Sequence, residues 1–300
     1  NILILLVLPQ LNSMHYDPLP EFWSEITFAW AAISLFLVVC FYFKYISIPL
    51  VTIPLFLFAT FLVVQQYFVK IDFIGLSYIA CLEMILCILL AIAINTLIKE
   101  FGLNVIISVI CTALIIGALI QSAIGFLQYT SLYKHFSWVF YDENHPNTNI
   151  FGHFGQRNHY CHYLSWAVFG LIYLVQQKKI KLPVFLTIAA WLIFSITIAS
   201  SRSVFMYFGL ATIITFIFYL SNRTLQSRKL FLLVFCTSIA LVGVEYLYPL
   251  LSQILTHHNQ TSSGLQRMAA DIGDGSMSGR RMIEWEKAYL VFKQYPLWGI

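Results

Sequence analysis

Three short segments of this chain gather side chains that could bind a sugar or an anion. The first runs Tyr141-Asp142-Glu143-Asn144-His145-Pro146-Asn147-Thr148-Asn149 and on through Phe151-Gly152-His153-Phe154-Gly155-Gln156-Arg157-Asn158-His159-Tyr160. Sugars are bound by such a mixture, because their C–H faces lie on aromatic rings while amides and Arg reach their hydroxyls. An interfacial belt has the same composition, since Trp, Tyr and Phe collect where a span leaves lipid. The second segment, Ser200-Ser201-Arg202-Ser203, is a tight connection between two apolar runs. A helix N-terminus there offers unpaired N–H groups and a positive dipole end, and Arg202 adds a fork of donors suited to phosphate. The plainer reading is a serine-capped turn whose Arg snorkels to the headgroups. The third segment, Ser278-Gly279-Arg280-Arg281-Met282-Ile283-Glu284-Trp285, continues to Tyr295-Pro296-Leu297-Trp298-Gly299. Met282, Trp285, Tyr289 and Phe292 recur at helical steps, which predicts an amphipathic interfacial helix. Arg280 and Arg281 in its first turn suit an anion, whether a ligand phosphate or a lipid headgroup.

Other residues carry weaker signals. His159 and His162 share a helical face, but two ligands without a third make a poor metal site, and no metal is expected. His257-His258 sits in a polar loop and reads as a solvated pair. Glu83 stands deep in an apolar run, where an acid marks either a functional site or a hydrogen bond to a neighbouring helix. Asn222-Arg223-Thr224 and Asn259-Gln260-Thr261 match the glycosylation triplet no better than chance allows. The six cysteines lie in or beside apolar stretches and form neither a disulfide framework nor a zinc pattern.

The elements that must position these segments are membrane helices. With 60% hydrophobic and only 10% charged residues, the chain cannot cover a water-facing surface, so lipid must be the solvent for most of it. A net charge of +4 then bears on topology rather than on nucleic acid, and no nucleic-acid partner is expected. Apolar runs fall at about 2–9, 25–43, 48–68, 73–98, 105–128, 159–176, 182–200, 203–221 and 229–249. They lack the alternation of barrel strands, which predicts an all-α, polytopic transmembrane bundle of about nine spans.

Lys44, Lys99, the trio Lys178, Lys179 and Lys181, and the trio Arg223, Arg228 and Lys229 occupy alternate connections, which the positive-inside rule puts in the cytoplasm. The outer face then holds 10–24, 69–72, 129–158, 200–202 and everything after about 250. Residues 1–249 are expected to form the bundle, with an outer loop at 129–158, and 250–300 the start of a large periplasmic loop. The chain opens inside an apolar run and stops at Pro296-Leu297-Trp298-Gly299-Ile300, and it is expected to be part of a longer protein.

Read in order, Gly155-Gln156-Arg157-Asn158-His159 entering a span, Ser201-Arg202-Ser203 between spans, and Arg281 four before Trp285 with Pro296-Leu297-Trp298-Gly299 beyond resemble the O-antigen ligase superfamily. That superfamily includes lipopolysaccharide O-antigen ligases, O-antigen polymerases and bacterial protein O-oligosaccharyltransferases. The Gln-x-Asn entry to a span followed by Tyr163-Leu164 is most similar to the last branch, which His15-Tyr16-Asp17-Pro18 fits loosely.

The resemblance implies a multi-pass enzyme of the bacterial inner membrane with a periplasmic active face. It would use no cofactor or metal and invert the sugar while moving oligosaccharide from a polyprenyl (undecaprenyl) diphosphate carrier. The acceptor hydroxyl would belong to a pilin-like protein, lipid A core or, in a polymerase, a second lipid-linked glycan. It further implies that Arg202 and Arg281, with Arg280 as substitute, hold the diphosphate. Gln156, Arg157, Asn158 and His159 would contact glycan or acceptor, and the general base is expected beyond residue 300. A transporter of lipid-linked glycan is the competing class, although polarity falls mostly at one face, with Glu83, Asn95 and Gln121 as exceptions.

Overall fold

Long apolar runs in lipid must satisfy their own backbone polar groups, and the α-helix does so within a single segment. A computed structural model of the chain describes residues 7–13, 22–69, 74–139, 150–256, 264–266, 269 and 279–296, with backbone alone at 22, 251–256 and 279–282. The helices are α1 (Phe22–Tyr42), α2 (Thr52–Gln65), α3 (Ile74–Phe101), α4 (Leu103–Tyr129), α5 (Arg157–Gln176), α6 (Leu182–Ile198), α7 (Ser203–Asn222), α8 (Leu225–Thr256) and α9 (Gly279–Gln294). Two 3₁₀ turns, Leu8–Leu11 and Leu132–His135, and a short helical piece at 264–266 accompany them, and there is no strand among the described residues.

Five helices are long and apolar enough to cross a membrane: Trp23–Tyr42, α3, α4, α7 and Leu225–Leu250 of α8. Length and hydropathy thus bear out five of the about nine expected spans and leave the other runs unconfirmed, each for a local reason. The run at 2–9 lies mostly outside the described residues. At 48–68, Pro49 disfavours a helical conformation at Ile48 and residues 45–49 take no regular structure, so α2 starts only at Thr52 and has 14 residues. Helix α6 is apolar but has 17 residues. Helix α5 reaches 20 residues but is more polar, because its neighbours are protein: Tyr160, Leu164, Ala167, Val168 and Leu171 are almost fully buried.

The helices sort into two compact units, residues 1–25 with 107–270 and residues 26–106 with 271–300. In the second, α2 packs on α3, and the extended stretch before α2 is fastened to the end of α3 by polar side chains. Ser47 N–H donates to Thr96 Oγ1 at 2.9 Å and Asn95 Nδ2 donates to Ser47 Oγ at 2.7 Å. Asn95, which looked like an isolated polar residue in a span, is thus a clasp. Helix α3 ends where Gly102 takes φ +84, a left-handed stop open to glycine at little cost. Glu83 is exposed on α3.

In the first unit α5 is the central helix, packed by α6, α7 and α8 and by Cys111, Ile115 and Ala118 of α4. Gly117 and Gly125 of α4 lie directly under the hydroxyl ends of Tyr163 and Tyr160, leaving no room for a Cβ at either position. Trp191 Nε1–H donates to Ser122 Oγ at 2.7 Å and joins α6 to α4, while Thr212 and Ser238 pair their hydroxyls at 2.9 Å between α7 and α8.

Candidate functional site

The site begins where the chain returns to α5. Two glutamines on one face of α4, seven residues apart, hold the approach. Gln128 Oε1 accepts from Phe151 N–H at 3.0 Å and Gly152 N–H at 2.9 Å, and its Nε2 donates to Gly152 O at 2.7 Å. Gln121 Oε1 accepts from His153 N–H at 2.7 Å, and its Nε2 donates to Gln10 O. With buried backbone groups satisfied in this way, the turn through Gly152 (φ +59) and Gly155 (φ +64) delivers the chain to a fixed point. Gln156 then takes an extended conformation as the N-cap of α5 and makes no side-chain cap.

At the start of α7, Ser200 sits at φ 53, and Arg202 is the N-cap residue without a side-chain cap. The serine-capped turn that the sequence offers does not form. Ser201 instead sends its hydroxyl across the unit: Oγ donates to Asn158 Oδ1 at 2.8 Å. Ser201 and Ser203 Oγ lie 2.8 Å apart, and because the Ser201 proton is committed to Asn158, Ser203 donates to Ser201.

This bond brings together two helix N-termini, each with first-turn N–H groups lacking intrahelical partners and neither with an acid in its first turn. Both dipoles present their positive ends at this point. Arg157 is held below the usual arginine range, first because burial strips water from its guanidinium and then because Arg202 acts on it with the same charge, with Cys161 acting in the opposite direction. An arginine keeps its proton under such a shift, so two like charges face one region. Helix N-termini and guanidinium groups are the donors that an anion binds.

A third element reaches the same turn. Gly264 lies against Ser201 O and Phe205, and Leu265 N–H donates to Glu245 Oε2 at 3.4 Å. Glu245, on α8, is completely buried, and its Oε1 has no partner. Sequence reasoning singled out Glu83 and missed Glu245, which stands near the end of the apolar run 229–249 and was absorbed into it.

Of the expected contact residues, the structure brings Arg157, Asn158 and Arg202 together, with Gln156 and His159 exposed beside them. His162 stacks on Tyr207 at 4.7 Å and meets Trp166 edge-on at 4.9 Å. Among the described residues no three His, Cys, Asp or Glu are grouped to hold a metal ion. Arg280 and Arg281 stand in the first turn of α9, their side chains outside the described residues. In α9, Trp285, Tyr289 and Phe292 are exposed, as an interfacial helix requires. Residues 140–149, His15-Tyr16-Asp17-Pro18, His257-His258, Asn259-Gln260-Thr261 and 297–300 also lie outside the described residues.

Comparison with known proteins adds two matches. Residues 150–175 match the family model described as protein glycosylation ligase, and residues 166–300 match the one described as O-antigen ligase. Together they run continuously over 150–300, half of the chain, and include the approach to α5, the Ser201 turn and α9. No curated protein matches the chain, and no solved structure does. Both descriptions are of ligases, which supports glycosyl transfer of that type by a multi-pass membrane protein. The motif order read from the sequence and the two matches over its second half support a place for this chain in the O-antigen ligase superfamily, and the match over 150–175 points toward its protein glycosylation ligases.

Proposed function

We propose that the protein transfers oligosaccharide from a polyprenyl diphosphate carrier to an acceptor hydroxyl at the end of the bundle where α5 and α7 begin. The observation that carries this reading is the Ser201–Asn158 hydrogen bond, which joins two helix N-termini and sets their chain neighbours Arg202 and Arg157 at the same turn. Two cations held in a partly buried place repel, and a diphosphate between them turns that repulsion into attraction. As the sugar–phosphate bond breaks, charge grows on the departing diphosphate, and donors already aimed there stabilise the transition state more than the ground state. Arginines supply this charge without a metal.

The acceptor oxygen bonds to the anomeric carbon from the face opposite the leaving diphosphate, so the sugar inverts. The acceptor proton passes to a general base. Gln156 and His159, both exposed, flank the arginines and contact glycan or acceptor. Asn158 spends its carbonyl on Ser201, which leaves its Nδ2 donors for the glycan. The active end is the periplasmic face of the bacterial inner membrane, because the basic connections lie at the opposite ends of α5 and α7. The match over 150–175 favours a protein acceptor.

The test places the full-length protein in a cell that makes a defined lipid-linked oligosaccharide but lacks its own ligase and polymerase. Lipid A core and a pilin-like protein are both supplied, and glycan is followed by mass spectrometry. Sugar on the protein is the expected result, and sugar on lipid A core makes the chain an O-antigen ligase. Lengthening on the carrier makes it a polymerase. Absence of all three products from an expressed, inserted protein overturns the transferase reading in favour of transport.

A further inference from the structure

At the other end of the same unit, α5, α7 and α8 part to leave a cleft of about 630 Å³. That volume is in the range of about 300–1,000 Å³ typical of small-molecule sites. Its deeper walls are apolar, formed by Phe169, Ile172, Ile214 and Val234. Gln176, Gln177, Thr224 and Ser227 line it where the helices reach their connections. From Phe169 to Gln177 is about 12 Å at the rise of an α-helix, so the cleft changes from greasy to polar over the depth at which a lipid does.

Two observations say what fills it. Gln176 lines the cleft while its Nε2 is buried with no hydrogen-bond partner, a cost of desolvation that is relieved if the side chain turns its amide toward an acceptor in the cleft. The connections at the polar end hold Lys178, Lys179 and Lys181 on one side and Arg223, Arg228 and Lys229 on the other, with no acid in 176–182 or 222–229. Lys179 Nζ is engaged with Ser108 Oγ at 2.6 Å, whereas Lys178 and Arg223 are exposed and directly adjoin the lining residues Gln177 and Thr224.

We propose that this cleft binds an anionic glycerophospholipid from the leaflet that adjoins these basic connections. An acyl chain lies on Phe169, Ile172 and Ile214, an ester carbonyl accepts from Gln176 Nε2, and the phosphate meets Lys178 and Arg223. Positive clusters beside a helical crevice recognise lipid headgroups in this way. A soluble phosphate leaves the apolar walls bare, and a zwitterionic lipid gains little from six clustered cations. The site is separate from the Arg157–Arg202 region and does not depend on the transferase reading.

Native mass spectrometry of the full-length protein, released from detergent after incubation with phosphatidylglycerol or phosphatidylcholine, tests the assignment. The wild type is expected to retain one phosphatidylglycerol in preference to phosphatidylcholine. Lys178→Gln with Arg223→Gln should weaken retention roughly thirtyfold, about fivefold for each charge near the surface. Ala211→Phe, which fills the cleft from α7, should abolish retention. Both variants must keep the wild-type melting temperature in detergent, and Ile214→Phe replaces Ala211→Phe if that variant fails to fold. Equal retention of the two lipids overturns the proposal, as does retention unchanged in the filled cleft. A polyprenyl lipid found in the wild type and lost from the filled variant also overturns it.

Discussion

Ser201 Oγ and Asn158 Oδ1, forty-three residues apart in sequence, are joined by a 2.8 Å hydrogen bond that fixes the first turn of α5 to the turn that starts α7. Arg157 and Arg202 are the immediate chain neighbours of these two residues. Whatever binds between the arginines therefore depends on a bond that neither arginine makes. With Ser201 almost fully buried, Ser201→Ala leaves Asn158 Oδ1 without its donor. A loss of about 1–3 kcal/mol of stability is expected, read as a lowered melting temperature in detergent, together with a clear drop in transfer.

Removal of either charge tests the anion reading directly. Arg157→Ala and Arg202→Ala should each lower transfer by about a hundredfold or more, the scale for losing one preorganised donor to a developing oxyanion, with membrane insertion intact. Arg202→Lys should recover only part of the rate, since an ammonium lacks the planar fork. Near-normal transfer by both alanine variants would remove the diphosphate assignment.

Asn158→Asp is more discriminating. It places a carboxylate beside two guanidinium groups and keeps an acceptor for Ser201. Transfer should fall while the melting temperature holds or rises, because the arginines gain an internal partner that competes with the diphosphate. A fall in both would show that Asn158 serves only to hold the helices together.

Gln128 predicts an effect at a distance. Gln128→Ala frees the N–H of Phe151, and both the N–H and the carbonyl of Gly152. At about 1 kcal/mol for each net bond, roughly 3 kcal/mol of local order is lost just ahead of Arg157. Proteolysis near 150–156 should accelerate, and the carrier's KM should rise.

Topology has its own measurement. Alkaline phosphatase fused after Arg202 should be active, and the same enzyme fused after Lys179 inactive, because α6 lies between these points. The opposite pattern would put the arginine pair on the cytoplasmic side and exclude a periplasmic transfer reaction.

The helices were legible in the sequence because lipid leaves an apolar run few other choices, and α3, α4, α7 and α8 fall close to the runs that announced them. Helix α5 was legible as a helix but differs in kind. Its Tyr, His and Gln residues lower its hydropathy because it packs on protein, and a one-dimensional profile does not distinguish that from a weak span. Arg202 stood out as a charge between two spans, whereas its neighbour across the unit did not, since contact between α5 and α7 depends on rotations that no local pattern encodes. Gln121 and Gln128 carried a usable signal, being two polar residues two turns apart on an otherwise apolar helix. Glu245 carried one as well, at the end of a run whose average hydrophobicity concealed it.

Gly117 and Gly125 act on the site without touching it. In lipid, hydrophobic burial gives one helix little reason to prefer a particular angle about its own axis, and close packing at small residues supplies that preference. Two tyrosine rings seated in two notches on α4 set the angular phase of α5 as a key sets a shaft. A slip of one residue would turn α5 by about 100° and carry Arg157 away from the Ser201 turn. Enlarging either glycine should therefore disable the anion region while every residue in it remains present and correctly folded into a helix.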